Sequence, residues 1–148
     1  MSTKALLQAD AERLRDHNVG LVLSCICAQE LPLGVPAYSG SFGQFGISWV
    51  LLPIRDMSVP DAVTEPLVAD AMVAARAVCK TGSCVAIHCK AGLGRTGMIA
   101  ARLATTYGLT GAEAIAFIRR QHSAEAVETA EQEAYVIGLE RVPAHTPE

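Results

Sequence analysis

Residues 84–97 read Cys-Val-Ala-Ile-His-Cys-Lys-Ala-Gly-Leu-Gly-Arg-Thr-Gly, and this stretch decides the fold. Its opening, Cys84 to His88, is a short continuous apolar run of the kind found in a strand buried on both faces. Gly92 and Gly94 then break regular structure, and a helix is expected from there through Tyr107 and Gly108. Strand, glycine turn and helix in that order are a unit of α/β domains with parallel sheets.

The sequence on either side repeats this alternation. Upstream, Leu7, Ala11 and Leu14 fall at i, i+4 and i+7 opposite Asp10, Glu12, Arg13 and Asp16, which predicts an amphipathic helix over 3–17 ended by Asn18 and Gly20. Leu21 to Ile26 reads as a central buried strand and Ile47 to Ile54 as another. Between them, Gly34, Pro36, Gly40, Gly43 and Gly46 predict that residues 34–46 form a mobile loop. Thr64-Glu65-Pro66 starts a helix with Leu67, Ala71, Ala74 and Val78 as its buried stripe, ending near Gly82. Downstream, Thr110-x-x-Glu113 and Thr129-x-x-Gln132 are capping boxes opening two last helices, the first with Ala114, Ile115 and Ile118 on its inner side. The expected fold is α/β, one domain over residues 1–148, with a central, mostly parallel sheet flanked by helices.

Composition narrows the function. A chain of 148 residues with 51% hydrophobic and 18% charged residues has enough apolar material for one packed core, which excludes intrinsic disorder. Its 12 Lys plus Arg against 15 Asp plus Glu give a net charge of −3, without the basic excess that holds nucleic acid. No apolar run approaches the roughly 18–20 residues of a membrane span. Charged residues from Asp10 to Asp16 stand where a signal peptide would be apolar, so the expected location is cytoplasmic and the expected state a monomer. The five cysteines have no zinc-knuckle spacing; Cys25, Cys79 and Cys84 are expected in the core, and no metal or cofactor is expected.

The turn after the strand carries the chemistry. With glycines at 92 and 94, successive N–H groups can converge at the start of the following helix, and a dianion such as phosphate, sulfate or vanadate would sit there without a metal. Lys90, Ala91, Gly92, Leu93, Gly94 and Arg95 would line that cradle. Cys89, beneath the donors, would have its thiol lowered from ~8.5 into roughly the 3.5–7.5 range and so act as a nucleophile. Arg95 would offer its planar fork to two phosphate oxygens, and the Thr96 hydroxyl would stabilise Cys89 as a leaving thiolate. The same residues fit a Gly-x-Gly-x-x-Gly dinucleotide pattern through Gly92, Gly94 and Gly97, but the candidate ribose acid, Glu113, falls in a capping box and not at a strand end. A Walker A loop would need a Lys-Ser/Thr pair after the last glycine.

His88-Cys89 to Arg95-Thr96 resembles the His-Cys-x5-Arg-Ser/Thr signature of cysteine-dependent protein tyrosine and dual-specificity phosphatases. Leu51-Leu52-Pro53-Ile54-Arg55-Asp56 with Pro60-Asp61 is similar to the general-acid loop of compact members. Cys27-Ala28-Gln29-Glu30-Leu31 and Val127 to Glu133 resemble stretches of the kinase-associated phosphatase. The resemblance implies a metal-independent phosphomonoesterase acting on phosphorylated proteins or peptides. It makes Cys89 the nucleophile, Arg95 the phosphate ligand and Asp56 the general acid, with Asp61 as rival. His88 would orient the loop, Gln132 would position water or merely cap its helix, and Cys27 would be a redox partner of Cys89 or a buried thiol. Lys90 resembles a lysine of lipid phosphatases, so phosphoinositides are the alternative substrate; a phosphate-binding pseudophosphatase is the rival class. A thiol-based arsenate reductase has its loop and acid in the reverse order.

Overall fold

The computed structural model describes residues 2–139. In chain order these form α1 (Thr3–Asp16), β1 (Val19–Ser24), a 3-10 turn (Ala28–Glu30), α2 (Val35–Gln44), β2 (Ser48–Leu51), α3 (Glu65–Lys80), β3 (Cys84–His88), α4 (Gly94–Thr105), α5 (Gly111–Gln121) and α6 (Ala130–Gly138). The strands form one parallel sheet in the order β2-β1-β3, as the α/β reading requires, with Ser24 opposite both Leu51 and His88. Residues 1 and 140–148 of the expected domain lie outside the described residues. No helix among the described residues is long and apolar enough to cross a membrane.

Alternation along β1 divides the molecule into layers. Leu21 and Leu23 face a core built with Val68, Ala71, Met72 and Ala75 of α3, Met98, Ile99 and Ala101 of α4, and residues of α5 and α6. Val22, between them, faces the other side, where Leu7 and Ala11 of α1 pack with Phe42 of α2 and with Ile47. Helices α1 and α2 therefore cover one face of the sheet and α3 to α6 the other.

Several local expectations are corrected. Residues 34–46 are largely helical, not a mobile loop: α2 starts after Gly34 (φ +81°) with Pro36 in its first turn and buries Ser41 and Phe42. Its exit is a Schellman turn, in which Gly46 (φ +73°) lets Ile47 N–H reach Phe42 O at 3.0 Å while Phe42 and Ile47 pack together. Burial of Phe42, with Tyr38 stacked on Trp49 at 6.1 Å, outweighs the glycine cost of about 1 kcal/mol per residue. Gly20 does not end α1; it lies in β1, beside the register shift between Val19 and Leu21, and Asn18 (φ +63°) makes the stop alone. The strand expected over Ile47–Ile54 is Ser48–Leu51 only.

On α3 the expected Ala71 is buried and Ala74 and Val78 are half-buried against the core, but Leu67 is exposed and Val68, Met72 and Ala75 complete the buried face. Strand β3 is half-buried, because it is the sheet's edge, and of the three cysteines expected in the core only Cys25 is buried, Cys79 and Cys84 being exposed.

Both capping boxes form as expected. Helices α5 and α6 meet at Gly111, where a Cβ would stand 2.6 Å from Ile137 Cα and against the Val136 carbonyl. Gly111→Ala should therefore destabilise by about 1–3 kcal/mol, read as a lower urea midpoint with unchanged slope.

Candidate active site

Cys89 follows the last residue of β3, and α4 begins five residues later at Gly94. Gly92, at φ +76°, makes the reversal in between, and its N–H donates to Cys89 Sγ at 3.2 Å. From the first turn of α4 the Thr96 hydroxyl donates to the same sulfur at 3.0 Å. Burial opposes ionisation of this thiol, but the hydrogen bonds from Thr96 and Gly92, with the Arg95 charge, outweigh it and hold Cys89 below the ordinary thiol range.

Arg95 is 2% exposed. Its fork is not free: Nη1 and Nη2 donate to Glu30 Oε2 and Oε1 at 2.8 and 3.0 Å, and Nη1 also reaches the Ile54 carbonyl at 3.0 Å. Glu30 is fixed in turn by the Cys27 N–H at 2.9 Å, and the hydrogen bonds from Arg95 hold its carboxyl below the usual range. Nε, although buried, has no hydrogen-bond partner among the described residues. Because Glu30 occupies the end-on edge of the guanidinium, Nε–H and the second Nη2–H are left side by side on the lateral edge.

At the strand end, His88 Nε2 lies 2.5 Å from Ser24 Oγ, and Ser24 Oγ accepts from Trp49 Nε1 at 2.8 Å. Nδ1 of His88 is 3.3 Å from the Cys89 carbonyl. Burial lowers the His88 pKa and so favours the neutral ring, which carries one ring hydrogen. Since a carbonyl only accepts, that hydrogen is assigned to Nδ1, and Ser24 donates to Nε2. A chain of hydrogen bonds thus runs from β2 through β1 to the end of β3.

The loop at 53–61 closes the other side. Asp56 is exposed, with Oδ1 3.6 Å from Arg95 Nη2. Asp61 is engaged elsewhere: its carboxylate accepts the N–H groups of Thr64 at 2.8 Å and Val63 at 3.1 Å ahead of α3, and those bonds, Thr64's first, hold it below the usual carboxylate range.

Gln132 is fully buried; its Oε1 accepts the Glu128 and Thr129 N–H groups while Nε2 donates to Ser58 O at 3.1 Å, tying α6 to the Asp56 loop. Lys90 and Ala91 are exposed at the rim, and Gly92 and Leu93 are half-buried. Cys27 is a half-buried free thiol, tied to this region through its backbone N–H, which donates to Glu30.

The expected residues Cys89, Arg95, Thr96, His88 and Asp56 are thus gathered at one end of the sheet. Glu30, Ser24 and Trp49 are partners that reading the sequence did not single out. Glu30 alone left a trace, within the stretch Cys27 to Leu31 that resembles the kinase-associated phosphatase.

Comparison with known proteins places the chain in a family. A model of the family described as "Polymorphic toxin system, DSP-PTPase phosphatase" matches residues 2–108. The chain belongs to this phosphatase family. Tyrosine-protein phosphatase CDC14 of Saccharomyces cerevisiae is 43% identical over 79 residues, 53% of this chain and 14% of that protein. Its counterpart in Candida albicans is 51% identical over 47 residues, 31% of this chain and 9% of that protein. The matched regions are therefore a small part of those relatives' length. Among solved structures, Tk-PTP in its active form superposes with a TM-score of 0.74 at 26% identity, covering 95% of this phosphatase-family chain and 87% of the other. Kinase associated phosphatase superposes at 0.77 with 25% identity, covering 94% and 79%.

Proposed function

We propose that this chain is a metal-independent protein phosphatase hydrolysing phosphotyrosine and/or phosphoserine/threonine through a cysteinyl-phosphate intermediate. The observation that carries the reading is the Cys89 sulfur under two hydrogen-bond donors, beside a buried arginine whose Nε–H has no hydrogen-bond partner among the described residues.

A phosphate dianion bound by the loop N–H groups of residues 90–95 and by the lateral edge of Arg95 has its phosphorus above Sγ. The thiolate attacks in line, Arg95 and the N–H groups stabilise charge on the equatorial oxygens, and Asp56 protonates the leaving oxygen. Water deprotonated by Asp56 then releases phosphate, and Cys89 departs as a thiolate steadied by Thr96. His88, held neutral between Ser24 and the Cys89 carbonyl, orients the sulfur, and Gln132 positions the loop that carries Asp56.

Asp56 is preferred to Asp61 because Asp61 caps the approach to α3 with bonds that favour its ionised form, whereas Asp56 is exposed beside Arg95. Asp56→Asn should lower kcat for an aryl phosphate with a poor leaving group by about 10²-fold or more and affect p-nitrophenyl phosphate much less. A crippling Asp61→Asn beside a silent Asp56→Asn would reverse the assignment.

Single phosphates suit the rim better than polyphosphorylated inositol lipids. The exposed basic groups Lys90 and Arg55 are offset by exposed Asp56 and by Glu128, whose carboxylate lies against Gly94. The test is turnover of p-nitrophenyl phosphate in EDTA, followed by a panel of phosphopeptides and phosphoinositides. Absolute dependence on Mg²⁺ would contradict the mechanism, and hydrolysis confined to the lipids would contradict the substrate class.

A further inference from the structure

The oxyanion cradle assumed above depends on which way each loop peptide faces. In a trans peptide the carbonyl and the N–H of one plane point in opposite directions, so a carbonyl pinned on the outside of the loop turns the next N–H inward. Two loop carbonyls are pinned by the segment between α5 and α6. Leu93 O is held twice by backbone, from Gly97 N–H at 2.9 Å and Val127 N–H at 3.2 Å. Gly92 O, by contrast, is met at 2.6 Å by the side chain of His122, the residue that caps α5. A carbonyl only accepts, so His122 Nε2 carries the hydrogen whatever the charge of the ring.

Gly92 is also where rotation is easiest. Its left-handed conformation is open to glycine without strain, no heavy atom beyond its chain neighbours stands within 4 Å of where a Cβ would be, and convergent N–H dipoles repel one another. We propose that His122 is a positioning residue for the proposed phosphatase reaction: by holding Gly92 O outward it keeps the Leu93 N–H turned toward the bound oxyanion. This rests on the reading of the loop as a phosphate cradle. His122 touches neither Cys89 nor Arg95 in any hydrogen bond given above, and acts through the loop peptide alone.

The test compares wild type, His122→Ala and His122→Gln for KM and kcat with p-nitrophenyl phosphate, inhibition by vanadate, alkylation of Cys89 by uncharged iodoacetamide, and the urea midpoint. In His122→Ala, KM and the vanadate inhibition constant should each rise roughly tenfold, the loss of one hydrogen bond to an ionised ligand, with kcat reduced less. Alkylation and the urea midpoint should stay near wild type, because the residue is exposed and the Gly92 N–H that meets the sulfur belongs to the preceding peptide plane, not to the one His122 holds. Glutamine, whose amide N–H replaces Nε2–H, should restore most of the affinity. Unchanged vanadate inhibition in His122→Ala, or a loss matched by slower alkylation and a lower urea midpoint, would overturn the positioning role while leaving the phosphatase reading intact. A wild-type protein that neither turns over the ester nor binds vanadate would overturn both.

Discussion

Cys89→Ser is expected to lower turnover of p-nitrophenyl phosphate by about 10⁵-fold or more while leaving inhibition-type affinity for inorganic phosphate intact. At neutral pH a serine hydroxyl keeps its proton, so the attacking lone pair is lost. The donors that would hold the oxyanion, the loop N–H groups and Arg95, are untouched, and removal of a negatively charged sulfur relieves repulsion of the dianion. Equilibrium dialysis with phosphate and steady-state assays separate the two effects. Turnover within about tenfold of wild type would place the nucleophile elsewhere.

The second large effect concerns Glu30. Glu30→Gln leaves the Arg95 guanidinium buried without its carboxylate. Breaking a buried ion pair from one side costs about 3–5 kcal/mol, and the lower end applies because a quarter of the Glu30 side chain is exposed. At about 2–4 °C per kcal/mol, the melting temperature should drop by roughly 6–12 °C. Activity should fall as well, since an unclamped Arg95 no longer presents its lateral edge in one direction.

The pair also sets an acid limit. The folded carboxyl of Glu30 lies below its ordinary value of 4.5, with the Arg95 hydrogen bonds the largest cause, so its contribution is complete above that value and is lost as pH falls through the lowered folded one. Glu30→Gln should therefore flatten the stability profile in that acid window. Equal acid sensitivity in variant and wild type would show that other carboxylates control it.

Much of the site was legible because its parts are close in sequence. His88, Cys89, Arg95 and Thr96 lie within nine consecutive residues, and a strand, a glycine turn and a helix start leave little choice about how they assemble. What stayed hidden is non-local. Glu30 and Arg95 are 65 residues apart, and nothing in either neighbourhood announces the other. Trp49 reads as a strand residue, yet its indole N–H reaches Ser24 on the next strand.

The helix over 35–44 was illegible for a different reason. Glycines at 40 and 43 argue locally against it, and the apolar surface that stabilises it belongs to α1 and the sheet. On α3 the period was right and Ala71, Ala74 and Val78 do face the core, but the buried face is centred nearer Val68, Met72 and Ala75, which the sheet decides and the helix alone does not.

The Trp49, Ser24 and His88 bonds have a consequence for folding. In a strand buried on both faces, aliphatic side chains can be accommodated on either side, so the apolar pattern alone separates alignments one residue apart less sharply than it does in a half-exposed strand. Here a one-residue slip of β2 or β3 would turn the indole or the imidazole to the opposite side of the sheet and remove one of the two partners of the buried Ser24 hydroxyl, at a cost of about 1 kcal/mol. Misaligned pairings are thus penalised by the same polar atoms that fix the end of β3, from which the chain enters the loop of the proposed nucleophile.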